Sequence, residues 1–535
     1  MDPALWSIFM MVSIIVFIVL LSRLYRQYRL RHYEVPAPDI REGHQWFMVD
    51  TFPEPTFCNI GHYQIIHGAQ CESCGVRVDD HSMKDANMQL PCKAPCSTEE
   101  VMRHHWVQGN LPLSSQCDVC AEECGTLNQL IDQRCCWCQR TVHEQCITKT
   151  NLCNLGKYRA EIVPPTCIEL MWTGLGRKHL IVKSVKKPSI PHWSPLVVLA
   201  NRKSGNNEGE QLLRTFRSVL NPTQVIDLHD IPPENCLEWC HLVTDVKVRV
   251  LVCGGDGTIG WVLNAIENLK LKNPPQVCIL PLGTGNDLSR VLGWGDGCHS
   301  DIDVTDVLDQ LKWSYPVSLD RWKINIIHEK HLLISRPSKT LIMNNYVSLG
   351  VDALVTLNFH KRRERTPWLF ANRLVNKFCY FTYGTKDVLE RECKDLHKKL
   401  KVELDDEEIY LPEIEGLVVL NIASWGGGCR PWDLANDDKV FKPARYDDGL
   451  LEVMALYSSF HIAQLQVGLA SPLRLGQARK VKITLTGGNA PMQVDGEPWE
   501  QHPAEITITH HSVASMLAGC HPDDFFDDDD DDDDD

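Results

Sequence analysis

The chain has 535 residues, 43% of them apolar and 23% charged, a composition that excludes bulk disorder and leaves room for several domains. Its formal charge of −16 sits largely at one end: Asp523, Asp524 and the aspartate run at 527–535 carry eleven of those charges, leaving −5 for the rest. The acidity therefore describes a solvated tail at 521–535, and no nucleic-acid partner is expected of the folded part.

In chain order, the first predicted element is apolar. Residues 3–22 carry no charge and as a helix would reach roughly 30 Å, the thickness of a bilayer core. Arg23, Arg26, Arg29 and Arg31 follow it, the reverse of a signal peptide's order. The reading is a membrane anchor at 1–24, a single helix or a re-entrant insertion, with the bulk of the chain in the cytosol and endoplasmic reticulum or plasma membrane as the host. A removed signal or a buried core helix are the alternatives. The basic linker at 25–43 sets Tyr25 and Tyr28 at headgroup level.

Thirteen of the 23 cysteines lie between Cys58 and Cys153, in C-x2-C pairs with histidines nearby, and the other ten are scattered singly. That pattern fits zinc in a reducing compartment better than disulfides. The block at 104–153 presents His104, Cys117, Cys120, Cys135, Cys138, His143, Cys146 and Cys153, with His105 as an alternative to His104 and Cys124 and Cys136 as spare thiols. This order resembles the cysteine-rich diacylglycerol/phorbol-ester module of the protein kinase C family. The resemblance implies two interleaved tetrahedral sites: His104, Cys135, Cys138 and Cys153 on one ion, Cys117, Cys120, His143 and Cys146 on the other. The block at 44–96 follows the same order but is degraded, since His44, Cys71, Cys74 and Cys92 complete one set whereas the other reads Cys58, Gly61, Asp79 and Ser82. Three structural zinc ions are expected, with His81 and Asp79 as alternative donors for a fourth. Glu122, Glu123 and Asp132 load the stretch at 121–134 with charge, which favours a scaffold or protein-contact role over lipid capture.

After a linker at 154–193, strands are predicted at 195–200, 248–252 and 277–280, each followed by a turn and a helical stretch, at 209–219, 259–269 and 288–292. The middle helix offers Trp261, Leu263, Ile266 and Leu269 to one side. The three turns carry Asn201, Lys203, Ser204 and Gly205; Gly254, Gly255, Asp256, Gly257 and Thr258; and Gly283, Thr284, Gly285, Asn286 and Asp287. Strands alternating with helices argue a parallel sheet with its ligand at the strands' carboxyl ends. Glycines admit close backbone approach, helix N-termini favour anions and nearby carboxylates can hold magnesium. No Walker A loop occurs.

These turns, together with Leu319-Asp-Arg-Trp322, Met343-Asn-Asn-Tyr-Val-Ser-Leu-Gly350, Trp425-Gly-Gly-Gly428, Asp447-Asp-Gly-Leu-Leu-Glu452 and Gln493-Val-Asp-Gly-Glu-Pro-Trp499, resemble the catalytic half of the eukaryotic diacylglycerol kinases. The likeness runs from residue 40 to about 515, and the epsilon type is nearest in layout. The fold class expected is therefore multidomain: the membrane helix, two small zinc-bound cysteine-rich modules, an α/β nucleotide-binding domain at 194–315 and a β-rich sandwich domain at 316–520. Within the last, strands are predicted at 322–327, 416–422, 450–456, 481–485 and 505–510, and a long helical region at 368–400. The basic run from His360 to Arg365 beside Trp368, Leu369 and Phe370 reads either as a helix over a core or as a membrane contact.

The resemblance implies phosphorylation of diacylglycerol by ATP to phosphatidic acid, feeding phosphoinositide resynthesis, with an arachidonoyl-containing substrate. The expected roles are phosphate cradling by the residues of the three turns and magnesium binding by Asp256, Asp287 and Asp320. Asp448 is the expected base, with Asp447 as its rival and Glu452 as an orienting group; the alternative for Asp448 is a plain hairpin turn. A kinase of sphingoid or ceramide lipid and a catalytically silent, membrane-tethered adaptor are the competing functions.

Overall fold

The computed structural model describes residues 10–11, 13–18, 20–21, 43–125, 130–173, 179–204, 208–297, 303–328, 337–365, 393–434 and 441–519. The chain divides into two compact units: Met1–Val197, Leu213–Val248 and Asn268–Asn273 form the first, and Val198–Leu212, Arg249–Glu267 and Pro274–Asp535 the second. Among the described residues no helix is long and apolar enough to cross a membrane. The expected anchor falls partly outside them; its described part is helical with Ile14, Phe17 and Leu20 exposed.

The first unit is built on short strands and metal-ligand clusters. One module pairs Trp46–Val49 with Gly68–Cys71 and then Arg77–Val78, all antiparallel; the other pairs Trp106–Gln108, Gln133–Cys135 and Thr141–Val142 likewise. Two asparagines join them: the Asn110 side chain accepts from Phe57 N–H at 2.8 Å, and Asn59 donates to the Gln108 carbonyl. The stretch expected as a linker holds an antiparallel pair of its own, Ile168–Thr173 with His179–Val185.

The second unit positions the candidate site. Strand β1 (Leu196–Ala200) precedes helix α1 (Glu208–Val219), β2 (Arg249–Gly254) precedes α2 (Asp256–Leu269), and β3 (Gln276–Pro281) precedes α3 (Asp287–Val291). β2 and β3 pair in parallel from Arg249↔Gln276 to Gly254↔Pro281, and each is a run of buried residues, as a sheet covered on both faces requires. α2 starts three residues earlier than expected, so Asp256, Gly257 and Thr258 form its first turn. Its buried side is Ile259, Val262, Leu263 and Ala265, whereas Trp261 is exposed. Helical spacing alone had marked Trp261, but the sheet buries the smaller residues one position along.

Helix α4 (Val304–Trp313), capped by the Asp303 side chain, leads into the β-rich part. Its strands are β4 (Tyr315–His328), β5 (Lys339–Met343), β6 (Tyr346–Gly350), β7 (Leu400–Leu404), β8 (Glu407–Ile409), β9 (Gly416–Leu420), β10 (Leu451–Leu456), β11 (Leu473–Ala478), β12 (Lys480–Leu485), β13 (Ala490–Val494), β14 (Glu497–Gln501) and β15 (Ala504–Ala518). α5 (Val351–Arg365) follows β6 and α6 (Ser459–Gln466) follows β10. One sheet continues the parallel strands in the order β1-β2-β3-β15-β12-β7-β8, with β4 pairing β15 and β5. The other is antiparallel, β11-β10-β9-β6-β13-β14.

The core between the two sheets holds Trp322, Ile324, Val347, Leu417, Val453 and Ile506, which makes this part the sandwich the sequence predicts. The two-residue period of β9 sends Leu417 and Val419 into that core and Val418 and Leu420 to a second one with Trp425, Trp432 and Leu465. Most of the helical region expected at 368–400 lies outside the described residues. Its described end is a single helical turn, Leu396–Lys399, before Leu400 opens strand β7, because Leu400, Val402 and Leu404 alternate into the sandwich core. The basic run ends α5, and Trp368, Leu369 and Phe370 lie outside the described residues.

Candidate active site and metal centres

Three clusters bring their donor atoms within 4.8 Å of one another: His44, Cys71, Cys74 and Cys92; His104, Cys135, Cys138 and Cys153; and Cys117, Cys120, His143 and Cys146. These are the three sets read from spacing and resemblance. Each histidine turns Nδ1 toward a ligand thiol, Cys74, Cys138 or Cys120, and Nε2 toward a backbone carbonyl, of Leu90, Asn151 or Glu123. That second contact fixes ring orientation and tautomer for a metal on Nδ1. Three thiolates and an imidazole suit tetrahedral zinc, so the donor sets fit the ion. His104, and not His105, is the ligand-side histidine.

The degraded site has become a hydrogen-bond cluster. Asp79 accepts from the Cys58 thiol at 3.4 Å, the Ser82 hydroxyl at 2.7 Å, the Tyr63 hydroxyl, and the backbone N–H of His81 and Ser82. Burial opposes the charged carboxylate, but these hydrogen bonds outweigh it and hold Asp79 well below the usual range. No fourth cluster forms with His81 among the described residues; the remaining grouping, Cys124, Asp132 and His143, shares a ligand with the third.

In the second unit, the turns after β2 and β3 meet. A Cβ on Gly255 would lie 3.0 Å from Gly283 Cα, and one on Gly283 would lie 2.6 Å from Asn286 Oδ1 and 2.7 Å from Gly255 Cα. These two glycines are therefore required by close approach. Gly254 abuts the Thr258 side chain, whereas Gly257 has open space. Asn286, at φ 53°, donates its amide to the Gly283 and Asp296 carbonyls, leaving its buried Oδ1 without a partner. Asp256, in the first turn of α2, accepts from the backbone N–H of Asp287 (3.2 Å) and Leu288 (3.1 Å), so one helix start caps the next.

Asp287 is buried and accepts from the Ser424 hydroxyl at 2.6 Å and from the N–H groups of Gly427 and Gly428. Burial and the neighbouring Asp256 charge push it up to about 6. Gly285 lies against both carboxylates. Two close acids with repelling charges fit a divalent cation.

The turn after β1 closes locally: Asn201 Oδ1 accepts from Lys203 N–H, and the Asn201 carbonyl accepts from Ser204 N–H. Gly205 lies outside the described residues. Gly209, unremarked in the sequence, admits no Cβ, which would fall on the Asn201 carbonyl. β1 neighbours β2 in the sheet.

Asp320 lies at the start of the β-rich part, on β4. Its carboxylate accepts from Gly449 N–H at 2.7 Å and contacts His510 Nε2 at 2.9 Å, so it secures the turn that carries Asp448. Gly449 needs φ +67° there. Asp447 is tied to Arg445 at 2.9 and 3.0 Å on the surface, whereas Asp448 is half-buried and, among the described residues, accepts only from Leu450 N–H. Glu452 is fully buried on β10, accepts from the Gln477 amide, and keeps Oε2 buried without a partner. Burial, with the Asp448 charge, pushes it up to about 8.

Two residues escaped the sequence reading as site elements. Asp495 accepts from the N–H groups of Asn344, Asn345 and Tyr346, and burial with the Asp256 charge pushes it up to about 6. Arg321, buried, reaches Asn344 at 2.9 Å and Glu267 at 2.6 Å and contacts Asn264, clamping α2 to β4. The Asp-Gly pair at 495 was visible only as a turn signal.

Residues 195–313 match the model of the diacylglycerol kinase catalytic domain, 342–498 the diacylglycerol kinase accessory domain, and 104–155 the phorbol esters/diacylglycerol binding (C1) domain. The Caenorhabditis elegans protein named "Probable diacylglycerol kinase 3" is 33% identical over 90% of this chain and 64% of its own length. Mouse diacylglycerol kinase theta is 43% identical over 60% of this chain and 34% of its own. The chain thus spans less than two thirds of these relatives. Among solved structures, a diacylglycerol kinase from Bacillus anthracis str. Sterne aligns over 61% of this chain and 97% of its own, at 17% identity and a TM-score of 0.37. Yeast NADH kinase complexed with NADH aligns over 66% and 90%, at 12% identity and 0.35.

Proposed function

We propose that this chain, which carries the catalytic and accessory domains of the diacylglycerol kinase family, transfers the γ-phosphoryl group of ATP to the free hydroxyl of a membrane 1,2-diacylglycerol. The observation that carries the reading is the convergence of the Gly255 and Gly283 turns, with Asp256 and Asp287 beside them, at the carboxyl ends of β2 and β3. That is where parallel sheets bind phosphates. Gly254, Gly255, Gly257 and Thr258 would cradle the polyphosphate on the α2 N-terminus, with Asn201, Lys203, Ser204 and Gly205 on one side and Gly283, Thr284, Gly285 and Asn286 on the other. Asp256, Asp287 and Asp320 would hold magnesium, which when bound neutralises phosphate charge; Asp320 also holds the Gly449 turn.

Asp448 takes the proton of the lipid hydroxyl as its oxygen attacks the γ-phosphorus, and ADP leaves with the electrons of the broken bond. Asp448 is favoured over Asp447 because Asp447 is engaged by Arg445. Glu452, pushed up to about 8 by burial and the Asp448 charge, resists adding a second negative charge beside that base. The epsilon-type resemblance extends the reading to arachidonoyl-containing substrate, to supply of phosphatidic acid for phosphoinositide resynthesis, and to an N-terminal anchor at 1–24 in the endoplasmic reticulum or plasma membrane.

The test is transfer of labelled phosphate from ATP to diacylglycerol by the purified chain, with sphingosine and ceramide as comparison acceptors. Label on diacylglycerol alone supports the reading; label on sphingosine or ceramide, or on no lipid, rejects it. Asp448→Asn should lower kcat by about 10²–10⁴-fold with nucleotide affinity unchanged, and preserved turnover would move the base elsewhere.

A further inference from the structure

We propose that the apolar residues exposed at the two ends of α6 form the face that seats on the lipid bilayer, setting the Gly426 to Gly428 turn and Asp287 beside it within reach of a bilayer-borne substrate. This rests on the lipid-kinase reading above. The inner side of α6 is core: Ile462 and Leu465 pack with Trp425, Trp432 and Leu456. Its two ends are apolar and unburied, with Tyr457 48%, Phe460 60%, Val467 58% and Leu469 77% exposed. Isolated exposed apolar residues are ordinary, but here four gather at the two ends of one eight-residue helix.

The occupant follows from charge. From Val453 to Leu473 there is no Asp, Glu, Lys or Arg, in a chain that is 23% charged. The one titratable side chain within the helix, His461, is buried, contacts the Ser471 carbonyl, and is held below its ordinary range by burial. A protein partner is met by a rim of charges and hydrogen bonds; a segment with no charge of its own and an exposed Tyr and Phe, bordered by the Arg430–Asp433 pair, is matched instead by the headgroup-to-acyl boundary, where aromatic rings settle. Position points the same way. The Cys429 thiol donates to the Leu465 carbonyl, a Cβ on Gly426 would lie 3.2 Å from Gln466 Nε2, and the next two glycines donate to Asp287. The apolar face and the candidate acid are therefore joined by one turn of chain.

The test is amide hydrogen exchange of the full-length chain with and without phosphatidylcholine vesicles containing diacylglycerol. Exchange across 457–471 should slow on adding vesicles by about ten-fold, and the Phe460→Asp/Leu469→Asp variant should lose that slowing with the rest of its exchange pattern intact. Unchanged exchange at 457–471 in the wild-type chain overturns the proposal whether or not the lipid is phosphorylated. Turnover separates the two readings. The variant should lose about ten-fold of its rate on vesicles and less than about two-fold on a dispersed short-chain diacylglycerol. No turnover of either lipid by the wild-type chain would reject the kinase reading and leave the exchange result to decide the bilayer face; equal loss on both lipids would overturn the bilayer face alone.

Discussion

Glu452 shows how much one buried carboxyl can say. Because its folded pKa, about 8, stands above the ordinary value of 4.5, the folded chain holds a proton there that the unfolded chain releases. The stability this contributes is complete below about pH 4.5 and is lost as pH rises through about 8. Glu452→Gln should therefore flatten the fall in Tm between about pH 4.5 and 8 and raise Tm at pH 8.5, which differential scanning calorimetry would read. Gly283 makes the opposite point about space. Gly283→Ala drives a methyl into Gly255 and Asn286, so it should cost about 1–3 kcal/mol in denaturant unfolding and at least ten-fold in ATP affinity; unaltered affinity would separate the two turns.

At the scale of the element, the first cysteine-rich module keeps one metal centre and replaces the other with hydrogen bonds to Asp79. Asp79→Ala should leave metal analysis at three zinc ions per chain while lowering stability by about 0.5–1.5 kcal/mol, the net worth of hydrogen bonds whose donors are mostly half-buried or exposed. A drop to two ions would mean that the cluster supports the neighbouring site. The ligand sets were legible because soft donors at fixed short spacings have few other uses, and the three strand–turn–helix units because periodicity and glycine turns coincide there. Partners distant in sequence were not. Nothing local ties Asp287 to Ser424 and Gly427, Asp320 to Gly449, or Asp495 to the turn at Asn344. The contacts of Asp320 with Gly449 and His510 were likewise invisible in a sequence that marked it only as a magnesium ligand. Leu400 was read as helix because its alternation with Val402 and Leu404 begins where a helical pattern runs out.

At the scale of the molecule, each unit has its own fastening. In the first, Lys93 is buried, donates to the carbonyls of Arg217, Ser218 and Leu220, and lies 4.4 Å from the Trp137 ring, while Glu72 pairs with Arg217 at 2.6 Å. A lysine beside the ligand Cys92 thus closes the carbonyl end of α1, where a cation is favoured. Lys93→Met should speed exchange of the amides around 217–220 and cost about 2–4 kcal/mol with zinc content unchanged; native exchange there would make the contact incidental.

In the second unit, β15 spans the sandwich and the nucleotide half: it pairs β4 along nearly its whole length, β12 at one end, and β3 through Val277↔Met516. On the ribosome this ordering has a cost in time. The strands bearing the glycine turns emerge early, yet their sheet stays unfinished until residues 504–518 follow, so the nascent lobe waits with an open edge through more than two hundred residues of synthesis and invites chaperone cover for that interval.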